Sequence, residues 1–295
     1  MIKIKKSFST GFNFRILHPL NLFCLTCLMF GNLLATNNHH FLFIDENGSL
    51  WGMGANGSGQ LGNGTTTGVT SPIKIENNQT IQVAASNTHT LYVKADGSLW
   101  GMGRNAYSEV GAPHNTNQTT AYEVIANGVL TAAAGEKHSV ILKSDGSLWG
   151  IGYNDYGQFG VNFVNNTYTN PTDLGISNVV QVSSSWNHTA FIKNDGSLWT
   201  MGENANGKLG NGVGAGENAN PQLIESGGVA SVIAGQHHTL YIKSDGSLWG
   251  MGLGNNGEFG LGDLNSHSLP VQIQTGGVLQ MAAGSNHTLF LKSDG

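Results

Sequence analysis

A chain of 295 residues with 18 acidic and 13 basic side chains has room for one large domain or two ordinary ones, and its acidic balance argues against a phosphate-backbone partner, which needs clustered Lys and Arg. Forty-three glycines against six prolines, with few Lys, Glu or Arg, disfavour helices and suit short strands joined by tight turns. The expected class is all-β.

The first 35 residues stand apart. Lys3, Lys5, Lys6 and Arg15 precede a mostly apolar run from Leu20 to Ala35, which reads as a signal peptide with a small residue, Ala35, at the expected cleavage point. An uncleaved anchor is the alternative, although Asn21, Thr26 and Asn32 interrupt a run shorter than a membrane span of about 20 residues. A lipoprotein reading fits worse, because Phe23 before Cys24 and Thr26 before Cys27 are poor matches. Both cysteines lie in this segment, so a mature chain holds no disulfide and no cysteine-based metal site. Its loss also removes four basic and no acidic residues, leaving nine against 18 and a net charge of −9. The expected location is secreted, periplasmic or cell-surface.

From residue 36 onward one pattern repeats. GSLW recurs with its tryptophan at Trp51, Trp100, Trp149, Trp199 and Trp249, spacings of 49, 49, 50 and 50, and a histidine stands eleven residues ahead of each at His40, His89, His138, His188 and His238, with a sixth at His287. Each unit reads as four strands. An alternating strand such as His238 to Lys243 turns at Asp245-Gly246 into the tryptophan strand, the Asp-Gly pair suggesting a two-residue type I′ turn. Asn47-Gly48 supplies the equivalent turn in the first unit. A Gly-rich bend (Gly59 to Gly62, Gly157 to Gly160), a variable loop, a strand opened by proline (Pro72, Pro221, Pro270) and a fourth strand such as Val129 to Ala134 complete the unit. Antiparallel four-stranded units without a covering helix point to a β-propeller; a β-helix, whose parallel rungs would not be joined by Asp-Gly hairpins, is the runner-up.

The pattern H-[TS]-x-x-[IL]-K-x-D-G-S-L-W-x-x-G-x-N-x-x-G-[QEK]-[LF]-G over residues 40 to 295 resembles the regulator of chromosome condensation repeat family, whose members form propellers, typically seven-bladed. Ser108 replaces the first glycine of the bend in unit two, and Gly254 stands where the other units have Asn56, Asn105, Asn154 and Asn204; both residue types being at ease at positive φ, the exchange is expected to preserve the backbone. Five complete periods and part of a sixth suggest a truncated ring.

The repeated tryptophans are expected to pack between blades, and the repeated histidines to hydrogen-bond nearby backbone; six histidines spread around an axis are too far apart to bind one metal ion. No metal or cofactor is expected. Ser, His and Asp recur in every unit, for example Ser139, His138 and Asp145, so no unit carries a distinctive catalytic constellation and the chain is read as non-enzymatic.

Function is expected where the repeat breaks. Strand order places the turn before the histidine strand and the loop after the tryptophan strand on one face, where the variable positions carry Arg104, Tyr107, His114, Tyr153, Tyr156, Phe163, Tyr168, Trp186 and Glu203. Of these, Arg104, Tyr107, Tyr153, Tyr156, Phe163, Tyr168 and Trp186 form the candidate binding set, since Tyr, Trp and Arg dominate interface hot spots. Trp186 replaces Asn87, Glu136, Gln236 and Ser285 of the other units; the alternative is that these aromatics pack within their own loops. The expected activity is recognition of a protein or cell-surface glycan by a monomer, with no nucleic acid bound and no membrane insertion after cleavage. An architectural segment of a longer surface protein is an alternative, and the family resemblance also offers guanine-nucleotide exchange or secreted enzyme inhibition.

Overall fold

The computed structural model describes residues 34–36, 39–160 and 167–295. They form strands, short turns and two single-turn 3-10 segments, and no helix among them is long and apolar enough to cross a membrane.

The first antiparallel sheet holds β1 (Leu34–Thr36), β2 (His40–Ile44), β3 (Leu50–Gly54) and β4 (Val69–Glu76), and the second holds β5 (Thr80–Ala85), β6 (His89–Lys94), β7 (Leu99–Gly103) and β8 (Gln118–Ile125). The third comprises β9 (Val129–Ala134), β10 (His138–Lys143), β11 (Leu148–Tyr153) and β12 (Thr167–Ile176). The fourth comprises β13 (Val179–Ser185), β14 (His188–Lys193), β15 (Leu198–Glu203) and β16 (Glu217–Glu225). The fifth comprises β17 (Val229–Ala234), β18 (His238–Lys243), β19 (Leu248–Gly252) and β20 (His267–Gln274), and a hairpin of β21 (Val278–Ala283) and β22 (Thr288–Lys292) follows. These are five propeller blades and half of a sixth. The histidine-to-histidine period is one strand out of phase with the blade: the strand that ends each sequence unit becomes the innermost strand of the next blade.

Successive blades share cores. Leu91, Val93 and Leu99 of the second pack on Val129, Ala132 and Ile141 of the third, and Val140, Leu142 and Phe159 of the third pack on Val179, Phe191 and Met201 of the fourth. The indole at the edge of each joint is only partly buried: Trp100, Trp149, Trp199 and Trp249 each lie against the core shared with the preceding blade. Their ring N–H groups donate to Ser98, Ser147, Ser197 and Ser247 at 2.9–3.0 Å, and Lys94, Lys143, Lys193 and Lys243 hold ammonium groups 4.3–5.1 Å from the ring centres. In the first blade, Asp45 takes the Trp51 N–H at 2.8 Å and Lys74 sits 5.2 Å from the ring.

Four expectations need correction. First, the Asp-Gly hairpins are not two-residue type I′ turns. Gly97 N donates to Lys94 O and Lys94 N to Ser98 O, so the loop is three residues long, with only Gly97 (φ 80) left-handed. Asp96 earns its place by accepting from both the amide and hydroxyl of Ser98, which holds its carboxyl below the usual range. Second, the prolines do not open their strands. Pro72, Pro221 and Pro270 lie inside β4, β16 and β20, within the register irregularity opposite β3, β15 and β19, where the missing N–H disrupts no regular ladder. Third, the Asn positions do not require positive φ: Asn204 has φ −112. Their side chains are used instead, since Oδ1 of Asn56, Asn105, Asn154 and Asn204 accepts the amide five residues on, at 2.9–3.2 Å. Gly254 lacks that bond, and Asn265 O fills the space a Cβ would need. Ser108, in contrast, does adopt the left-handed conformation (φ 63) of the glycines it replaces.

The fourth correction concerns the histidines. Through Nε2 their rings bond across the joint to a side chain, and the expected interaction with nearby backbone is met at His188 alone among the five, with Ser185. Nε2 of His40, His89 and His188 meets the hydroxyl of Thr90, Ser139 and Thr239 in the next blade at 3.0–3.1 Å. Each hydroxyl donates its own proton back to a carbonyl of the blade that carries the histidine, Gln60, Glu109 or Lys208, at 2.6–2.9 Å. A hydroxyl has one proton, so the ring must be the donor, which assigns the Nε2–H tautomer. His138 uses Ser184 at 2.7 Å, and His238 meets Thr288 at 3.3 Å. His287 has no comparable burial.

Candidate functional site

The turn before each histidine strand lies beside the start of the loop after the tryptophan strand. Arg104 N donates to Thr88 O, Tyr153 N to Lys137 O and Glu203 N to Asn187 O, at 2.9–3.0 Å. Glycines 103, 152 and 202 make that approach possible, each with φ between 100 and 109 and a carbonyl 2.4–2.6 Å from where a Cβ would stand. The face this creates brings four sequence-predicted residues together at the joint of the second and third blades.

Tyr107 and Tyr153 meet edge to face at 5.0 Å, and Tyr156 continues the row 6.2 Å from Tyr153. Arg104 lies over Tyr107 at 5.0 Å, and Lys137 lies 5.2 Å from Tyr107 and 5.4 Å from Tyr153. Beneath them is buried Glu109, which accepts the Tyr107 amide at 2.7 Å and meets Arg104 Nε at 3.5 Å. Burial raises the Glu109 carboxyl, and desolvation with a hydrogen bond to Asp155 raises the Tyr153 phenol. Among the described residues Lys137 makes no ion pair; its ammonium faces two aromatic rings, and its charge acts on Glu109, opposing the effect of burial there.

Trp186 adjoins this cluster. Its carbonyl accepts the amide of Glu136, the residue before Lys137, at 2.9 Å, and its ring lies 6.1 Å from His237 of the fifth blade. Its φ of 49 is left-handed, whereas Asn87, Glu136, Gln236 and Ser285 at the same turn position are not. A bulky side chain in that region is strained. Strain recurs on this face in the loop after β7, at Ser108 (φ 63), His114 (φ 71) and Asn115 (φ 49), with the Ser108 hydroxyl tied to Asn115 at 2.5 Å. Glu203 accepts from Asn187 at 3.4 Å and from buried Lys208 at 2.7 Å, and burial lowers the Lys208 ammonium.

Tyr168 is not part of the patch, since it sits edge-on to Phe159 at 5.5 Å and packs against the core. Phe163 lies outside the described residues. Lys137 and Glu109 escaped the sequence reading: Lys137 stands where other units have Thr88, Asn187 and His237, whereas Glu109 lies within the pattern, its position being filled by Gln60, Gln158, Lys208 and Glu258 elsewhere. No triad forms around Ser139, His138 and Asp145. Ser139 is engaged by His89 and Glu109 O, His138 by Ser184, and Asp145 by Ser147. No group of three or more potential metal ligands occurs among the described residues.

The arrangement is similar to known propellers. Human WBSCR16 superposes with a TM-score of 0.79 at 21% identity, covering 88% of this chain and 71% of that one. Prp20p from Saccharomyces cerevisiae, described with its binding properties to Gsp1p and histones, gives 0.69 at 18% identity over 88% and 83%. Yeast RCC1 (Prp20) bound to Kap60 gives 0.68 at 19% identity over 88% and 80%. No curated protein sequence matches the chain. The model described as "Regulator of chromosome condensation (RCC1) repeat" matches residues 47–93, 145–192, 195–242 and 245–291, and a second model of the same description matches 81–109, 129–158 and 179–208. With most of its length matched, the chain belongs to the regulator of chromosome condensation (RCC1) repeat family.

Proposed function

We propose that this chain is a non-enzymatic recognition module that acts outside the cytoplasm and binds a protein partner through the face carrying Arg104, Tyr107, Lys137, Tyr153, Tyr156 and Trp186. The observation that carries the reading is the convergence, at one joint of a regular array, of aromatic and cationic side chains that the repeat does not require. Such residues, half-buried on a rigid base, lose little side-chain entropy on binding and supply most of the energy of protein interfaces. The strained backbone at Trp186 supports the same face. Binding of Gsp1p, histones and Kap60 by Prp20p makes a protein the favoured partner class. The basic, then apolar N-terminal segment supports the extracytoplasmic assignment.

The test is affinity capture from the native culture with three baits: the unaltered chain, Trp186→Ala, and Tyr107→Ala with Tyr153→Ala. The expected result is a discrete partner held by the first and lost by the others at unchanged melting temperature. Full retention by both variants overturns the interface, and capture of a glycan in place of a protein overturns the partner class.

A further inference from the structure

The blade frame bears on where the chain is processed. In the second, third and fifth blades and the sixth hairpin, the innermost strand runs from nine to four residues ahead of the repeated histidine: Thr80–Ala85, Val129–Ala134, Val229–Ala234 and Val278–Ala283. Counted back from His40, the same frame covers residues 31–36.

The described part of that stretch, β1, obeys the frame residue for residue. Leu34, Ala35 and Thr36 pair with Phe43, Leu42 and Phe41, as Ala132, Ala133 and Ala134 pair with Ile141, Val140 and Ser139 in the third blade. β1 also packs against β5 of the second blade, as β5 packs against β9. A cut after Ala35 would therefore remove β1 almost entirely. It would leave β2 as an open edge with unpaired backbone groups in a blade that the rest of the array uses as its first joint.

We infer that the exported chain keeps β1, so that the leader is cleaved before Leu34 and not at Ala35. The sequence accommodates the earlier site. The apolar run then spans Leu20 to Phe30, a length suited to the hydrophobic part of a leader, and Gly31 is the small residue that follows it. Residues up to Phe30 serve export, and those from the strand onward serve the fold.

This inference rests on the export reading, and the experiment separates the two. The full-length chain is expressed in a secreting bacterial host, and the N-terminus of the exported product is read by sequencing and intact mass. A first residue at or before Leu34 is expected; a product beginning at Ala35 or later overturns the inference while leaving export intact. A chain that is not exported overturns the export reading and, with it, the processing assignment. A second arm uses Leu33→Ala, which creates Ala-Leu-Ala ending at Ala35 and moves the cut there. Its product should melt lower than the unaltered one by about 5 °C or more, or fail to accumulate. Equal melting of a product that begins at Thr36 shows β1 to be dispensable and overturns the inference.

Discussion

At the scale of single residues, the chain reuses one hydroxyl at three of its joints as both acceptor and donor. Thr239 receives the His188 ring proton at 3.0 Å and gives its own to Lys208 O at 2.8 Å, all within a buried site. Thr239→Val keeps the volume and strands both partners. We expect a loss of about 1–3 kcal/mol in urea unfolding, and we expect Thr239→Ser, the residue the third blade uses as Ser139, to recover most of it. A second substitution pattern is written into the repeats. Tyr92 donates to Glu76 at 3.3 Å and Tyr241 to Glu225 at 2.6 Å, with Lys94 and Lys243 each 2.8 Å from the same carboxylates. Where the ring hydroxyl is absent, at Ile141 and Phe191, the facing residues are Ile125 and Ile176. Carboxylate and phenol thus come and go together, because the phenol of a fully buried ring needs an acceptor, which the lysine-paired carboxylate supplies. A double-mutant cycle converting Tyr92 and Glu76 to Ile should therefore show a coupling of about 1 kcal/mol or more, the double variant being more stable than the single effects predict.

At the scale of the element, the interface face depends on close backbone approach. Gly202 has φ 109 with Asn187 O 2.5 Å from a would-be Cβ, so Gly202→Ala forces the turn carrying Trp186 away from the loop after β15. The expected outcome is a loss of about 3 kcal/mol in denaturant unfolding, together with a shift in Trp186 fluorescence that a remote destabilising change would not produce. Much of this architecture was legible in the sequence, because GSLW and its histidine recur at a fixed spacing and mark β-rich strands, although four of the histidine strands prove buried on both faces where alternation was expected. The joints were not. The contacts that hold them link residues about 50 apart, such as Gln82 with Ala132, and local periodicity carries no trace of them. The hydroxyl that follows five of the six histidines (Thr90, Ser139, Thr189, Thr239 and Thr288) was the available signal, read only as part of a strand. The hairpin type was misjudged for a related reason: Asp-Gly fits several turns, and only the bonds of Lys94 with Gly97 and Ser98 decide among them. In the candidate site, the aromatic residues stood out against polar counterparts, whereas Lys137 and Glu109 gained meaning only when two blades were set side by side.

At the scale of the whole molecule, the joints share one response to acid. Burial lowers His40 and His238 to about 4 and His89 and His138 to about 3, and it pulls His188 well below its usual value. An unfolded chain titrates these rings near 6.5, so protons bind the unfolded state first. Their contribution to stability is complete above pH 6.5 and is lost as pH falls toward 4 for His40 and His238 and toward 3 for His89 and His138, at about 1.4 kcal/mol per pH unit for each ring. Five rings acting together predict a steep, cooperative unfolding near pH 5, with uptake of close to five protons measured by titration across the transition. Unchanged urea stability between pH 7.5 and 5.5 would refute this. The same joints have a direction, with the ring always on the earlier blade and the hydroxyl on the later one in His40–Thr90, His89–Ser139 and His188–Thr239. A DNA duplication that copies the unit beginning at His138 therefore yields an extra blade whose seams already match, Ile176 meeting a second Ile141, whereas a copy of the unit beginning at His89 would set Tyr92 against Ile125. Copy number can thus change without a compensating mutation where a unit carries matched residues at its two ends, and elsewhere the seam must be repaired by substitution.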